Sequence, residues 1–510
     1  MSATVPRERS LGEKLLFAVL ILAVGDVAGK ALGFIISVVR TRTLSTEDFG
    51  GLGFIMQTIG MFAQVAGFSL GMAATRYIAL YRTTEPRKSQ EVAQFILLFG
   101  LCTTALATVL MIIFAPQLAK SANAPQLAGS IQLSVIVLIT QTLAGLILGM
   151  LIGMERFRAA SLATVMQNVV MLALTWWWAP RYGLTGTLYA MAAGFGTTLI
   201  IAAWGCRDLY FSIPLQLRRV WSHRSIIWEF CLPSLVAGII VMPATWAATA
   251  MLAAQPGGLQ QLAFFFAADQ LRPILGLLTN IVSQPMMTFV ASHARQAMDM
   301  TVSEEERNTA RIKSQNATTR CFQLLICLVL PAHAVLAFAG PYIMAIFGRK
   351  FATEWNAFLL VLAWAAYSGI TSLMGTTLQA QGRVWWCNAL LVVYGILLVV
   401  FTYPLSNLGA VGLGLAYLAT SVVSGFVTAA ILQRLGYMTW QAVALVAMSL
   451  GWIIAVSLGA AWVPESLRLP IIPLVFAFTM LVLFATMRTQ MQHVLRMFTR
   501  KAFSFLRRAY

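Results

Sequence analysis

Leu15–Val39 reads LLFAVLILAVGDVAGKALGFIISVV, and Leu262–Val290 reads LAFFFAADQLRPILGLLTNIVSQPMMTFV. Each run is apolar and long enough to cross a bilayer core. Each also carries an acid and a base: Asp26 with Lys30, and Asp269 with Arg272. An ionised side chain at bilayer depth costs roughly 2.5–3.5 kcal/mol on insertion scales. A chain that keeps four of them points them into a polar chamber between helices, which is the architecture of a membrane transporter. The spacings, i,i+4 and i,i+3, also let each pair neutralise itself along one helix face. A purely structural counter-ion role therefore stands as the alternative.

The rest of the chain agrees with a membrane setting. It is 510 residues long, 59% hydrophobic and 10% charged, with a mean hydropathy of +0.80; soluble domains run nearer 25% charged. Apolar blocks of about 20 residues recur from 15–39 to 470–487, about fourteen in all. The expected fold is an all-α polytopic membrane protein. A net charge of +18 raises the question of nucleic acid, but its placement answers it. With the N-terminus in the cytoplasm, Arg7, Arg9, Lys14, Arg76, Arg82, Arg87, Lys88, Arg156, Arg158 and the tail arginines fall on one side. The other side holds few basic residues, among them Arg40, Arg42, Lys120 and Arg181. That is the positive-inside pattern, sustained along the chain. Both termini are predicted cytoplasmic. The first run is too long and too charged for a cleavable signal.

Connections are short. The stretch 207–226 is a candidate cytoplasmic linker between a first six-helix bundle over 1–206 and a second over 227–434. Two further spans follow over 435–489, then a basic amphipathic tail over 490–510. Gly183-Leu-Thr-Gly186-Thr-Leu-Tyr-Ala190 and Gly409-Ala-Val-Gly412-Leu-Gly-Leu-Ala416 share one pattern, 226 residues apart. That offset fits a parallel repeat; ordinary small-residue packing is the competing explanation.

Three segments resemble a known family. Val39-Arg-Thr-Arg42-Thr-Leu44-Ser-Thr-Glu47-Asp48-Phe49-Gly50 follows the first run. Ser69-Leu-Gly71-Met-Ala-Ala-Thr-Arg76-Tyr77 follows the second. Ala339-Gly340-Pro341-Tyr342 with Phe347-Gly348 closes the ninth. Their order and spacing are similar to those of Wzx-type polysaccharide flippases of the multidrug/oligosaccharidyl-lipid/polysaccharide exporter superfamily. The resemblance implies two six-helix bundles around a central cavity plus two C-terminal helices. It also implies a substrate: an oligosaccharide on undecaprenyl pyrophosphate, moved across the bacterial inner membrane for O-antigen or exopolysaccharide synthesis. Lys30 and Arg272, the only bases placed deep in spans, would attract the pyrophosphate, because a cation in a low-dielectric chamber acts far more strongly than one in water. Asp26 and Asp269 would attend them. Gln57 and Asn280 are candidates for sugar hydroxyls, although an amide in a span also serves as interhelical glue.

Other chemistry finds no support. Gly25-Asp-Val-Ala-Gly29-Lys30 lacks the spacing of a phosphate loop. The four histidines are scattered, without metal-ligand spacing. The six cysteines fall in or beside spans as apolar filler. No catalytic residue, metal or cofactor is expected. The expected partners are the lipid-linked oligosaccharide, membrane lipids, and a polysaccharide polymerase or glycosyltransferases, not nucleic acid. The alternative function is a multidrug or small-cation antiporter of the same fold.

Overall fold

The computed structural model describes residues 11–210, 214, 216–298 and 303–486, and every regular element among them is helical. In chain order the main helices are α1 Leu11–Thr43, α2 Thr46–Gly67, α3 Leu70–Tyr81, α4 Pro86–Ser121, α5 Val135–Gly153, α6 Phe157–Gly205, α7 Leu232–Ala253, α8 Gly258–Asp269, α9 Arg272–Met298, α10 Glu304–Phe338, α11 Trp355–Ala380, α12 Val384–Leu405, α13 Gly409–Arg434, α14 Trp440–Trp462 and α15 Glu465–Thr486. The predicted amphipathic tail, 490–510, lies outside the described residues.

Eleven helical stretches among the described residues are long and apolar enough to cross a membrane; the sequence led us to expect fourteen. Two of the three spans that make up the difference have a local cause; the third is the first run, whose helix α1 is not among the eleven. Phe157–Gly205 (49 residues) and Val384–Arg434 (51 residues) each count as one stretch. At 1.5 Å per residue either would measure about 75 Å if straight, more than twice the hydrocarbon thickness of about 30 Å. Both fold back at a glycine. Gly183 has φ 54° and ψ −131°; Gly409 has φ 68° and ψ −143°. Only glycine reaches that conformation without strain. Three residues on, a Cβ at Gly186 would lie 2.5 Å from the Trp178 carbonyl oxygen, and one at Gly412 would collide with the Leu405 carbonyl. The shared G-x-x-G is thus a turn device. Its first glycine reverses the chain and its second admits the end of the preceding helix. It does the same work at both positions.

The family-like segments resolve into similar devices. Ser45 caps α2: its hydroxyl accepts from the Asp48 amide at 3.0 Å. Glu47 and Asp48 occupy the first turn, where negative charge meets the positive end of the helix dipole. Gly50 approaches the Leu259 carbonyl so closely that no Cβ fits. Phe68 and Ser69, both left-handed, separate α2 from α3. Gly71 then lies against Gly145 and Gly149 of α5, and the Thr75 hydroxyl donates to the Gly149 carbonyl at 3.0 Å.

The chain divides into two compact units, Met1–Ala263 and Phe264–Tyr510. This boundary falls later than the expected linker at 207–226, and the packing says why. Helix α7 belongs with the first unit: the Trp246 indole donates to the Thr58 hydroxyl at 3.0 Å, and its ring lies 5.8 Å from Phe54. The linker itself is clasped to the same unit. The Arg156 guanidinium grips Asp208 in bidentate fashion, with Nη1 to Oδ1 at 2.8 Å, and also donates to the Gly205 carbonyl. Gln94 donates to the Tyr210 carbonyl at 3.2 Å, and His223 Nε2 lies 3.3 Å from Glu91.

Two outcomes test this packing. Gly149→Val should lower the melting temperature of the detergent-purified protein, since overpacking costs about 1–3 kcal/mol. Gly145→Ala, where a Cβ meets open space, should be near neutral; equal effects would contradict the close approach. The second concerns acid. The Arg156 hydrogen bond holds the Asp208 carboxyl below its ordinary value. The pair's stabilisation is therefore full above the unfolded carboxylate pKa and is lost as pH falls through the lowered folded value. Both side chains are more than a third exposed, so the effect is small, about 1 kcal/mol or less. A melting-temperature series below about pH 5 should fall more steeply for the wild type than for Asp208→Asn, and parallel curves would exclude a contribution from the pair.

Candidate substrate-binding site

In the first unit, Lys30 Nζ binds Asp26 Oδ2 at 2.7 Å, with Asp26 exposed and Lys30 partly buried. The neighbouring glycines position this pair. Gly25 packs on Ser161, and Gly29 on Thr164 and Asn168, all of α6. A G-x-x-x-G face lets two membrane helices approach closely, and α1–α6 is the most extensive helix pair among the described residues. Asp26 and Lys30 each follow one of these glycines by one residue, about 100° around the helix, so the pair is turned off the packed face. Gln57 lies half-buried on α2 beside the fully buried Thr58.

In the second unit the expected continuous span is broken. Helix α8 ends at Asp269, Gln270–Leu271 form a turn, and α9 begins at Arg272. Pro273 accounts for the break: a proline disfavours helical geometry in the residue before it and brings no N–H. Asp269 and Arg272 therefore staple two helix ends together, with Nε to Oδ1 at 2.6 Å and Nη2 to Oδ2 at 3.0 Å. The guanidinium carbon lies 5.2 Å over the ring of Trp364 on α11, which in turn stacks 4.3 Å from Tyr417 on α13. Trp364 is 8% exposed and Tyr417 3%. The Trp364 indole nitrogen is sealed from solvent. Asn280, also on α9, is exposed. Half of the Arg272 side chain is accessible against 15% of Asp269, so the base is the presented member. The bidentate bond uses Nε and Nη2 and leaves Nη1 outside the pair.

Sequence reasoning missed three participants. Trp364 and Tyr417 form the bed under Arg272, and no local pattern distinguishes them from the chain's other aromatic residues. The third is Arg40, assigned above to an external connection. Helix α1 continues to Thr43 and carries Arg40 into the packed unit, where Ile36, Ser37, Val39, Thr41 and Leu44 are all buried. Its length past Val39 was the only available signal.

Comparison with known proteins bears on the family and the fold. Residues 15–288 match the family model described as "Polysaccharide biosynthesis protein". The EPS I polysaccharide export inner membrane protein EpsE of Ralstonia solanacearum is 24% identical over 427 residues, which is 82% of this chain and 93% of that one. Among solved structures, the lipid II flippase MurJ in an inward closed conformation matches with a TM-score of 0.69 at 12% identity, covering 92% of this chain and 99% of that one. An inward-facing multidrug resistance MATE family transporter of the MOP superfamily matches at 0.62 and 16% identity, covering 82% of this chain and 98% of that one. At such identities the solved structures speak to the fold alone. The protein is a multi-pass membrane protein of the MATE/MurJ fold, and it belongs to the polysaccharide biosynthesis protein family.

Proposed function

We propose that this chain is a flippase moving undecaprenyl-pyrophosphate-linked oligosaccharide units across the bacterial inner membrane by alternating access, for O-antigen or exopolysaccharide synthesis. The observation that carries the reading is the Arg272 clamp: a guanidinium held at a helix break within a membrane-crossing stretch, backed by an indole and presented on one edge. Breaks in spanning helices are where transporters of other folds bind charged substrates, and a guanidinium fork suits phosphate oxygens. The family and the export function named for the Ralstonia relative support the substrate class. Lys30 is the corresponding cation of the first unit. Asp26 and Asp269 keep the two bases neutralised until an anion competes for them, and Gln57 and Asn280 serve sugar hydroxyls. The resemblance further supports fourteen spans arranged as two six-helix bundles around a central cavity with two C-terminal helices. The charge asymmetry supports cytoplasmic termini. Antiport of drugs or small cations is the second reading, favoured by the likeness to the MATE transporter. It needs an available carboxylate, and both deep carboxylates are bonded to bases.

A strain lacking the chain, complemented with variants, tests the site. Arg272→Ala and Lys30→Ala should each reduce surface glycan at least about tenfold while the protein inserts at wild-type amount, because a hydrogen bond to a charged group contributes about 1.5–3 kcal/mol. Arg272→Lys should restore part of the export. Wild-type glycan in both alanine variants would remove the two bases from the mechanism.

Coupling has its own readout. If protonation of Asp26 or Asp269 releases the partner base, transport into vesicles should respond to an imposed pH gradient, and the response should shrink in Asp269→Asn. An unchanged rate on collapse of the proton and sodium gradients would leave the carboxylates as structural counter-ions.

A further inference from the structure

Arg40 differs from the other two deep bases in lacking an acid. Lys30 and Arg272 are each ion-paired; among the described residues no carboxylate lies within ion-pair reach of Arg40, whose one side-chain contact runs from Nη2 to the Met171 sulfur of α6 at 3.4 Å. A thioether is a weak acceptor and does not offset a charge. Nε is sealed from solvent without any partner. One helical turn beyond Met171, on the same face of α6, the Thr175 hydroxyl is 0% exposed and equally unpartnered.

Capping of α1 does not explain the residue. A cation near a helix C-terminus can satisfy the last carbonyls, but among the described residues the Arg40 guanidinium hydrogen-bonds to none of them, and the Leu44 amide takes the Arg40 carbonyl at 2.9 Å. A helical side chain also leans toward the N-terminus of its helix, which carries the guanidinium back along α1, away from its C-terminal end. The result is an uncompensated positive charge with one nitrogen sealed and another on sulfur, in a packed stretch of a membrane helix. Such charges are costly and are retained where an anion visits.

We propose that Arg40 and the adjoining face of α6 form a phosphate-type anion site, separate from the two paired sites, which takes the pyrophosphate of the lipid-linked substrate. With the N-terminus cytoplasmic, this end of α1 faces the outer leaflet, so the site is occupied late in the passage. The identity of the anion's carrier rests on the flippase reading; the existence of the site does not. The same chemistry could come from an anionic lipid headgroup, and the test separates the two.

Full-length protein in phosphatidylcholine nanodiscs is titrated with inorganic pyrophosphate, following its melting temperature. Pyrophosphate should stabilise the wild type and Arg181→Gln, a change at a base whose guanidinium reaches only the Trp177 carbonyl and ring. The apparent Kd should rise at least about tenfold in Arg40→Gln and Arg40→Met; the second keeps the site apolar should the first fail to fold. Undiminished affinity in a folded Arg40 variant overturns the proposal, whatever the strain's glycan shows. In phosphatidylglycerol nanodiscs the wild-type stabilisation should persist; its disappearance there would assign the site to a headgroup and overturn the substrate assignment. Loss of pyrophosphate binding together with normal glycan export would keep the anion site but overturn its assignment to the lipid-linked substrate, leaving the flippase reading as it stands.

Discussion

Hydrocarbon offers no hydrogen bonds and no counter-ions, and almost every local choice in this chain answers that fact. Backbone groups that water would otherwise satisfy must be closed within the chain, which explains why all described regular structure is helical. Charges must be matched or used. Lys30 and Arg272 are matched one turn away on their own segments of chain. Threonine hydroxyls near the end of α1 donate back to the Val38 and Val39 carbonyls. Where Pro273 opens the ladder between α8 and α9, the Asp269–Arg272 bond spans the gap with the strongest link that two side chains can make.

The two paired bases and the one unpaired base are therefore different kinds of object. A paired base can be buried cheaply and presents its charge only when an anion outcompetes the carboxylate. Arg40 has no such partner to displace. The contrast is between two charges neutralised within the chain and one that stands uncovered. Aromatic backing adds rigidity at one of them. With Trp364 beneath and Asp269 beside it, Arg272 has little rotational freedom left.

Much of this was legible in the residues. The apolar runs became long helices and the i,i+4 and i,i+3 spacings became ion pairs, because period and composition are local. The form of the two reversals at Gly183 and Gly409 was not legible, since a one-glycine turn leaves no loop to interrupt the apolar pattern. Nor was the unit boundary, because nothing local to 227–253 announces that Trp246 will bond Thr58 nearly two hundred residues earlier. The family-like segments told of kinship but not of purpose. Ser45, Gly50 and Gly71 turn out to cap and pack helices; the residues that present chemistry, such as Trp364, sit outside them.

The glycine reversals have a consequence for how the protein is made. At Gly183 and Gly409 the helix before and the helix after are joined by almost no extended chain. A translocation channel that releases spans one at a time would have nothing to hold between them. Each such hairpin must leave the channel sideways as a preassembled pair, its two arms already in contact through Gly186 or Gly412. For these stretches the smallest unit of membrane insertion is the hairpin, and the first tertiary contacts form before the ribosome has finished the chain.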